Sequence, residues 1–295
     1  MSRASSLRLL LLAMIWGCSF IFFKIAAAEI PAPSLAWMRV LCGAVFLAIL
    51  FALQGKQTRL KQEWKPMVLI AAFAAALPFW LFAYAAQTIS ASLLVIINAT
   101  APIWSAMIYA VWTRKAPKAT VVLGLLLGVC GVSVIVGGGI QHLQGEHLVL
   151  HLLAAFGAAA CYGVSTNMAL GFGQHIDSKT NALGCLVYAT VLLTPVAPFY
   201  WPTQLPSQAA LLSTVAVGVL CSGVAYMLYF RLVDDVGPTS ALTVTFLIPV
   251  FGILWSVLLL GESVGWNTGA GGLLVVAGTI LVTREKSNPS VAIND

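Results

Sequence analysis

What this chain has little of is charge. Asp, Glu, Lys and Arg make up 8% of its 295 residues, where a soluble domain carries about 25%. That shortage excludes an ordinary water-facing surface, because most side chains must then face lipid or protein. Acids total 9 and histidines 4. None of the acids falls in mid-span, and His142, His147, His151 and His175 sit in loops or at a span edge. Enzymes that need a buried acid–base pair are left without their groups. His142 and His147, with Glu146 between them, have i, i+5 spacing, which is not that of a helical zinc pair. No metal is expected. The six cysteines (Cys18, Cys42, Cys130, Cys161, Cys185, Cys221) all lie in apolar runs without metal-ligand spacing. They read as small apolar contacts and imply no disulfide framework. No phosphate-binding glycine loop precedes a helix; Gly137-Gly138-Gly139 closes a run and reads as a turn. Neither a cofactor nor ATP-driven work is expected.

Hydrophobic residues supply what charge does not. They make up 60% of the chain, with a mean hydropathy of +0.97. A membrane-spanning helix needs roughly 20 mostly apolar residues. Ten stretches qualify, near 7–28, 34–53, 66–86, 91–112, 120–138, 148–170, 180–200, 209–230, 239–260 and 265–283. The connecting loops are short, so no soluble domain fits between them. The expected fold class is an all-α membrane protein with ten transmembrane helices.

The formal charge of +6 raises nucleic acid as a partner, but the distribution of charge argues against it. With the N-terminus inside, 13 of the 15 Lys and Arg fall on inner segments, and the other two, Lys24 and Arg39, fall within spans. This positive-inside pattern places both termini in the cytoplasm of a bacterial inner (plasma) membrane. The first span resembles a signal peptide, with Arg3 and Arg8 before it and Ala26-Ala27-Ala28 after it. Its apolar run exceeds the roughly 7–15 residues of a secretory core, so an uncleaved first helix is expected.

The chain contains itself twice. Trp16-Gly17-Cys18-Ser19 returns as Tyr162-Gly163-Val164-Ser165, 146 residues later. Pro102 returns as Pro249, Gly124 as Gly271 and Gly131 as Gly278, each 147 later. Five spans per copy is an odd number, so the second copy begins on the opposite side of the bilayer. The expectation is two inverted five-helix repeats, 7–138 and 148–283, with a cytoplasmic tail at 284–295. Inverted repeats are how many secondary transporters build a site that can face either side. Gly124, Gly128 and Gly131 share a helical face, which reads as helix packing. A homodimer contact is the rival use of that face.

These residues carry a family likeness. Trp16-Gly17-Cys18-Ser19-Phe20, then Lys24, Pro33 and Arg39, resembles the opening of the drug/metabolite transporter superfamily, in its EamA-type members. Pro249, Gly261-Glu262, Gly271 and Gly278 resemble the second half. The resemblance covers about 7 to 283 and implies a central cavity and export or exchange of small metabolites, often amino acids or related compounds. In the first half, Arg114-Lys115 stands where the Gly-Glu would be, so the glutamate is not needed twice.

The candidate site residues follow from the few polar and aromatic groups inside spans. Trp16, Ser19, Trp80, Tyr84, Asn98, Tyr162, Ser165, Tyr226, Tyr229, Thr245 and Phe246 are expected to line a substrate cavity. Pro102 and Pro249 are expected hinges, each four residues after a polar side chain (Asn98, Thr245) placed to meet the backbone carbonyl that proline frees. Lys24 and Arg39 lie near the outer ends of their spans. They read either as charges that snorkel to the interface or as an electropositive vestibule favouring carboxylates. Their positions in the other half hold Leu170 and Cys185. The function expected is a secondary transporter of a small molecule within a lipid bilayer. A membrane enzyme on lipid-linked substrates, using Asp234-Asp235, and a non-transporting scaffold are the alternatives.

Overall fold

The structure is a computed structural model that describes residues 2–139, 147–236, 241 and 243–286. His142, Glu146 and the tail from 287 lie outside the described residues. Among those described, every regular element is a helix. α1 (Arg3–Ala27), α2 (Ala32–Leu53), α3 (Trp64–Ala86), α4 (Ala91–Thr113) and α5 (Ala119–Gly139) belong to the first half. α6 (Leu148–Gly171), α7 (Ser178–Leu193), α8 (Gln208–Gly218, Val219–Val224 and Ala225–Val236), α9 (Val244–Leu260) and α10 (Trp266–Lys286) belong to the second. Seven described helices are long and apolar enough to cross a bilayer. The apolar stretches Ala119–Ile135 and Val244–Leu260 are shorter. Exposed Val129, Leu153, Leu258 and Leu273 put apolar surface on the outside of the bundle, as lipid contact requires.

Local chemistry sets several helix ends. Ser90, Asp177 and Ser207 cap α4, α7 and α8 through side-chain oxygens that accept backbone N–H groups. α7 stops at Leu193, short of the expected 200. Pro195 lacks the N–H that would continue the ladder, and a tight turn at Ala197–Tyr200 follows. Gly137 to Gly139, expected as a turn, are instead the last residues of α5.

Three irregularities recur or contrast between the halves. α3 widens to an i→i+5 turn at Ala72–Ala76, and α8 does the same at Val219–Val224, 147 residues on. In α3 the cause is next to it: Pro78 cannot donate to the carbonyl of Ala74, and the N–H of Leu77 bonds back to Ala72. α4 is interrupted between Asn98 and Ala101, ahead of Pro102, whereas α9 carries Pro249 inside one helix. Finally, α4 and α9 both end on a left-handed residue, Arg114 (φ 53°) and Gly261 (φ 65°). Glycine adopts this conformation freely, and arginine does so at a cost.

Glycines join the halves. A Cβ on Gly124 would lie 2.7 Å from the Gly278 carbonyl oxygen, and one on Gly131 would lie 2.6 Å from that of Gly271. The reverse contacts hold at Gly278 and Gly271. α5 and α10 therefore touch backbone to backbone through a reciprocal, two-fold contact. The glycine face proposed as packing is occupied inside the chain and is not open to a second copy. The same rule places α1 and α6. Gly17 sits on Phe251 and Gly252 of α9, and Gly163 sits on Trp104 and Ser105 of α4. Each half thus lays its first helix across the fourth helix of the other.

Candidate functional site

A cavity of about 420 Å³ lies between the halves, within the range of about 300–1,000 Å³ typical of small-molecule sites. Trp16, Phe20 and Phe23 of α1, Phe79 and Phe82 of α3, Tyr162 of α6 and Tyr226 of α8 give it an aromatic wall. Ser19, Asn98, Ser105, Thr166, Thr245 and Thr283 add polar groups. Among the described residues, Arg39 is the one charged side chain in the wall, and none of them contributes a carboxylate to it. α2 and α10 contribute to it, beyond the helices that carry the expected cavity residues.

Trp16 is held by the widened turn of α8. Its indole Nε1–H donates to the carbonyl of Cys221 at 3.0 Å, within the i→i+5 segment. Its ring packs on Tyr229 (5.6 Å) and edge-on to Tyr226 (6.5 Å). Tyr162, its counterpart, tilts against Phe82 at 6.2 Å. Gly17 and Gly163 serve close approach; both helices run through them without unwinding. Ser19 and Ser165 each donate to the carbonyl three residues back, Trp16 and Tyr162.

The break in α4 is repaired by groups other than the one expected. The Thr100 hydroxyl donates to the Ile97 carbonyl (2.6 Å), and the Thr279 hydroxyl of α10 donates to the Ala99 carbonyl (2.8 Å). The Asn98 side chain, expected to serve the backbone, makes no hydrogen bond to another described residue and lies on the cavity wall. Asn167 ties α6 to α4 instead, donating to the Ser105 and Gly163 carbonyls.

The two ends of the bundle are tied differently. At the end opposite the termini, carboxylates cross between halves onto helix N-termini. Glu262 accepts from the Ala91 and Ser92 amides (2.7 and 3.0 Å) and from the Ser92 hydroxyl (2.8 Å). Glu29 accepts from the Ser207 amide (2.5 Å) and hydroxyl (2.6 Å). Both place negative charge at a positive helix end. The Ser207 hydroxyl and amide hold the exposed Glu29 carboxyl below its ordinary pKa. At the terminal end, Arg8 pairs with Asp235, which Arg231 also approaches at 3.6 Å, and Glu63 meets His175 at 2.8 Å.

Of the expected cavity residues, Trp16, Ser19, Asn98, Tyr162, Tyr226 and Thr245 lie on the wall, as does Pro102. Trp80 packs at the edge of the main core, and Tyr84 stacks on His151 at 4.3 Å. Ser165, Tyr229, Phe246 and Pro249 also lie off the wall. Lys24 and Arg39, read either as snorkelling charges or as an outer vestibule, have different surroundings. Lys24 donates to the Ala86 and Ile89 carbonyls (2.9 and 3.0 Å), closing the end of α3. Arg39 is 6% exposed and turned into the cavity, because its helix presents that face to α1, α3 and α8 rather than to the interface. Phe23, Phe79 and Cys221 were not anticipated; Pro78 beside Phe79 and the glycines around Cys221 mark the widened turns near those two, and nothing local marks Phe23.

Ten described helices in two halves related by a two-fold contact, with a small-molecule cavity between them, define a membrane carrier. The chain matches the model of the EamA-like transporter family over residues 4–137 and 149–284, and it belongs to that family. It is 28% identical to an uncharacterized transporter, YvbV, of Bacillus subtilis, over 98% of this chain and 95% of that protein. It is 26% identical to a probable amino-acid metabolite efflux pump of Salmonella typhimurium, over 94% of each. A solved structure titled only as a protein crystal structure superposes with a TM-score of 0.67 at 16% identity, covering 98% of this chain and all of the other. The protein is thus a multi-pass membrane transporter of a small molecule.

Proposed function

We propose that the protein exports small amino-acid-like metabolites, or drugs of similar form, across a bacterial inner membrane by alternating access, with both termini in the cytoplasm. One observation carries this reading: the cavity sits between the inverted halves and is unequal at its two ends. Phe23, Phe79 and Phe82 roof it toward the carboxylate-tied end, while Val282 and Thr283 extend it into the last turns of α10 at the basic end. The basic end is the cytoplasmic one by the positive-inside rule, so this conformation would load cargo from the cytoplasm. Release then requires Glu262 and Glu29 to leave the helix ends they cap while the halves bend near Pro102 and Pro249. The efflux name of the Salmonella relative supports the direction and the cargo class. A single chain encloses the whole cavity and is the transport unit we propose.

The test compares metabolites in medium and cytosol from cells expressing the intact chain, the Trp16→Ala/Tyr162→Ala double variant, or neither. A compound that leaves only with the intact chain supports export through this cavity. Equal export by both forms of the protein removes the aromatic pair from the path. Profiles identical to empty cells, with the protein present in the membrane, overturn export.

A further inference from the structure

Arg39 is buried in an apolar bundle without the usual compensation. A guanidinium stays charged at any physiological pH, and burying it is costly unless a carboxylate pairs with it. Among the described residues no carboxylate does. Instead its Cζ lies 3.6 Å from the Phe79 ring centroid and 4.7 Å from that of Phe23. Its Nε–H donates to the Ser222 hydroxyl at 3.3 Å. The aromatic faces and this one bond fix the plane of the group. They leave the terminal nitrogens, four of its five N–H donors, without a described protein acceptor, on the wall of the cavity. A planar fork with its faces covered and its edge open is the geometry that grips a carboxylate with two parallel bonds.

The fold does not need this charge. Its position in the second half holds Cys185, which is buried against Met67 and Ile70. The frame is therefore built once with arginine and once without. We propose that Arg39 is the anchor for the carboxylate of the transported molecule. The cargo would then be small monocarboxylates with an apolar or aromatic remainder. The remainder would lie on Trp16, Phe82 and Tyr162. An ammonium, where present, would find only neutral acceptors such as Asn98 and Ser19, so amines lacking a carboxylate are rejected. This rests on the transport reading above and names its substrate class.

The test uses purified full-length protein in proteoliposomes. Uptake and thermal stabilisation are measured with L-phenylalanine, phenylacetate, L-phenylalaninamide and phenethylamine. The intact protein is expected to bind the two carboxylates at least about tenfold more tightly than the amide and the amine, the effect of a charge-assisted bond pair. Arg39→Gln should lose that preference while binding the amide within about twofold of the intact protein. Arg39→Lys, which keeps the charge and loses the fork, should fall between them. Acids and amides bound and moved equally by the intact protein would overturn the anchor and leave the transport reading standing. None of the four bound or moved would overturn the anchor for this cargo class, while export found in cells would still uphold the reading. The comparison on the intact chain needs no variant to fold.

Discussion

Gly17 and Gly163 meet the same kind of neighbour; Arg39 and Cys185 do not. The first pair each press a helix backbone onto the fourth helix of the opposite half. The second pair occupy one place in the repeat, yet one lines the cavity and the other fills a small apolar cluster. The same division runs through the molecule. The glycines of α5 and α10 and the widened turns of α3 and α8 occur twice and hold backbones in place. Arg39 and the α4 break, with Asn98 beside it, are described in one half only. Doubled features set the frame, and single features give the cavity its chemistry.

The frame can be broken most directly at its glycines. Gly131→Leu and Gly271→Leu each push a side chain into the other's carbonyl, and each should cost at least about 1–3 kcal/mol. Monodisperse yield in detergent should fall equally for both; a large inequality would break the two-fold comparison. Trp16 and Tyr162 sharpen it. Trp16→Phe removes the indole bond to the Cys221 carbonyl and should cost about 0.5–1.5 kcal/mol by thermal unfolding. Tyr162→Phe removes no protein hydrogen bond described here and should leave stability within about 0.5 kcal/mol. Glu262→Ala frees the Ala91 and Ser92 amides at the start of α4 and should cost about 1 kcal/mol, with weaker closure read as faster reaction of a cysteine placed at Phe23. Arg114→Gly relieves a left-handed arginine that its counterpart Gly261 avoids, and should stabilise by about 1 kcal/mol.

The smallest effect concerns Glu29. Its pKa is lowered on folding by the Ser207 hydrogen bonds. Its contribution is therefore present above the ordinary glutamate value of about 4.3 and lost as pH falls through the lowered value. Melting temperatures of the intact protein and Glu29→Gln should differ near neutrality and converge in acid. A difference that persists there would remove the latch from this end.

The span pattern and the duplication were legible in the sequence because they rest on apolar length and repeated Gly and Pro, which are local signals. The cavity wall was legible only in part. A membrane helix that is apolar all round shows no inward face, so Trp80 and Tyr84 could not be told from Trp16 and Tyr226. Arg39 sits two turns into α2, where depth alone indicates the interface; only packing against Phe79 reveals its direction. The widened turn of α8 has no proline to announce it, and Thr279 finds the Ala99 carbonyl from 180 residues away.

The reciprocal glycine contact between α5 and α10 has a consequence for how such a chain could arise. Two separate first halves could pair antiparallel through Gly124 and Gly131 and reproduce most of the frame. Such a pair would carry Arg39 twice. Joining the halves lets each copy drift on its own, and Cys185 stands where the second half could have kept a second arginine.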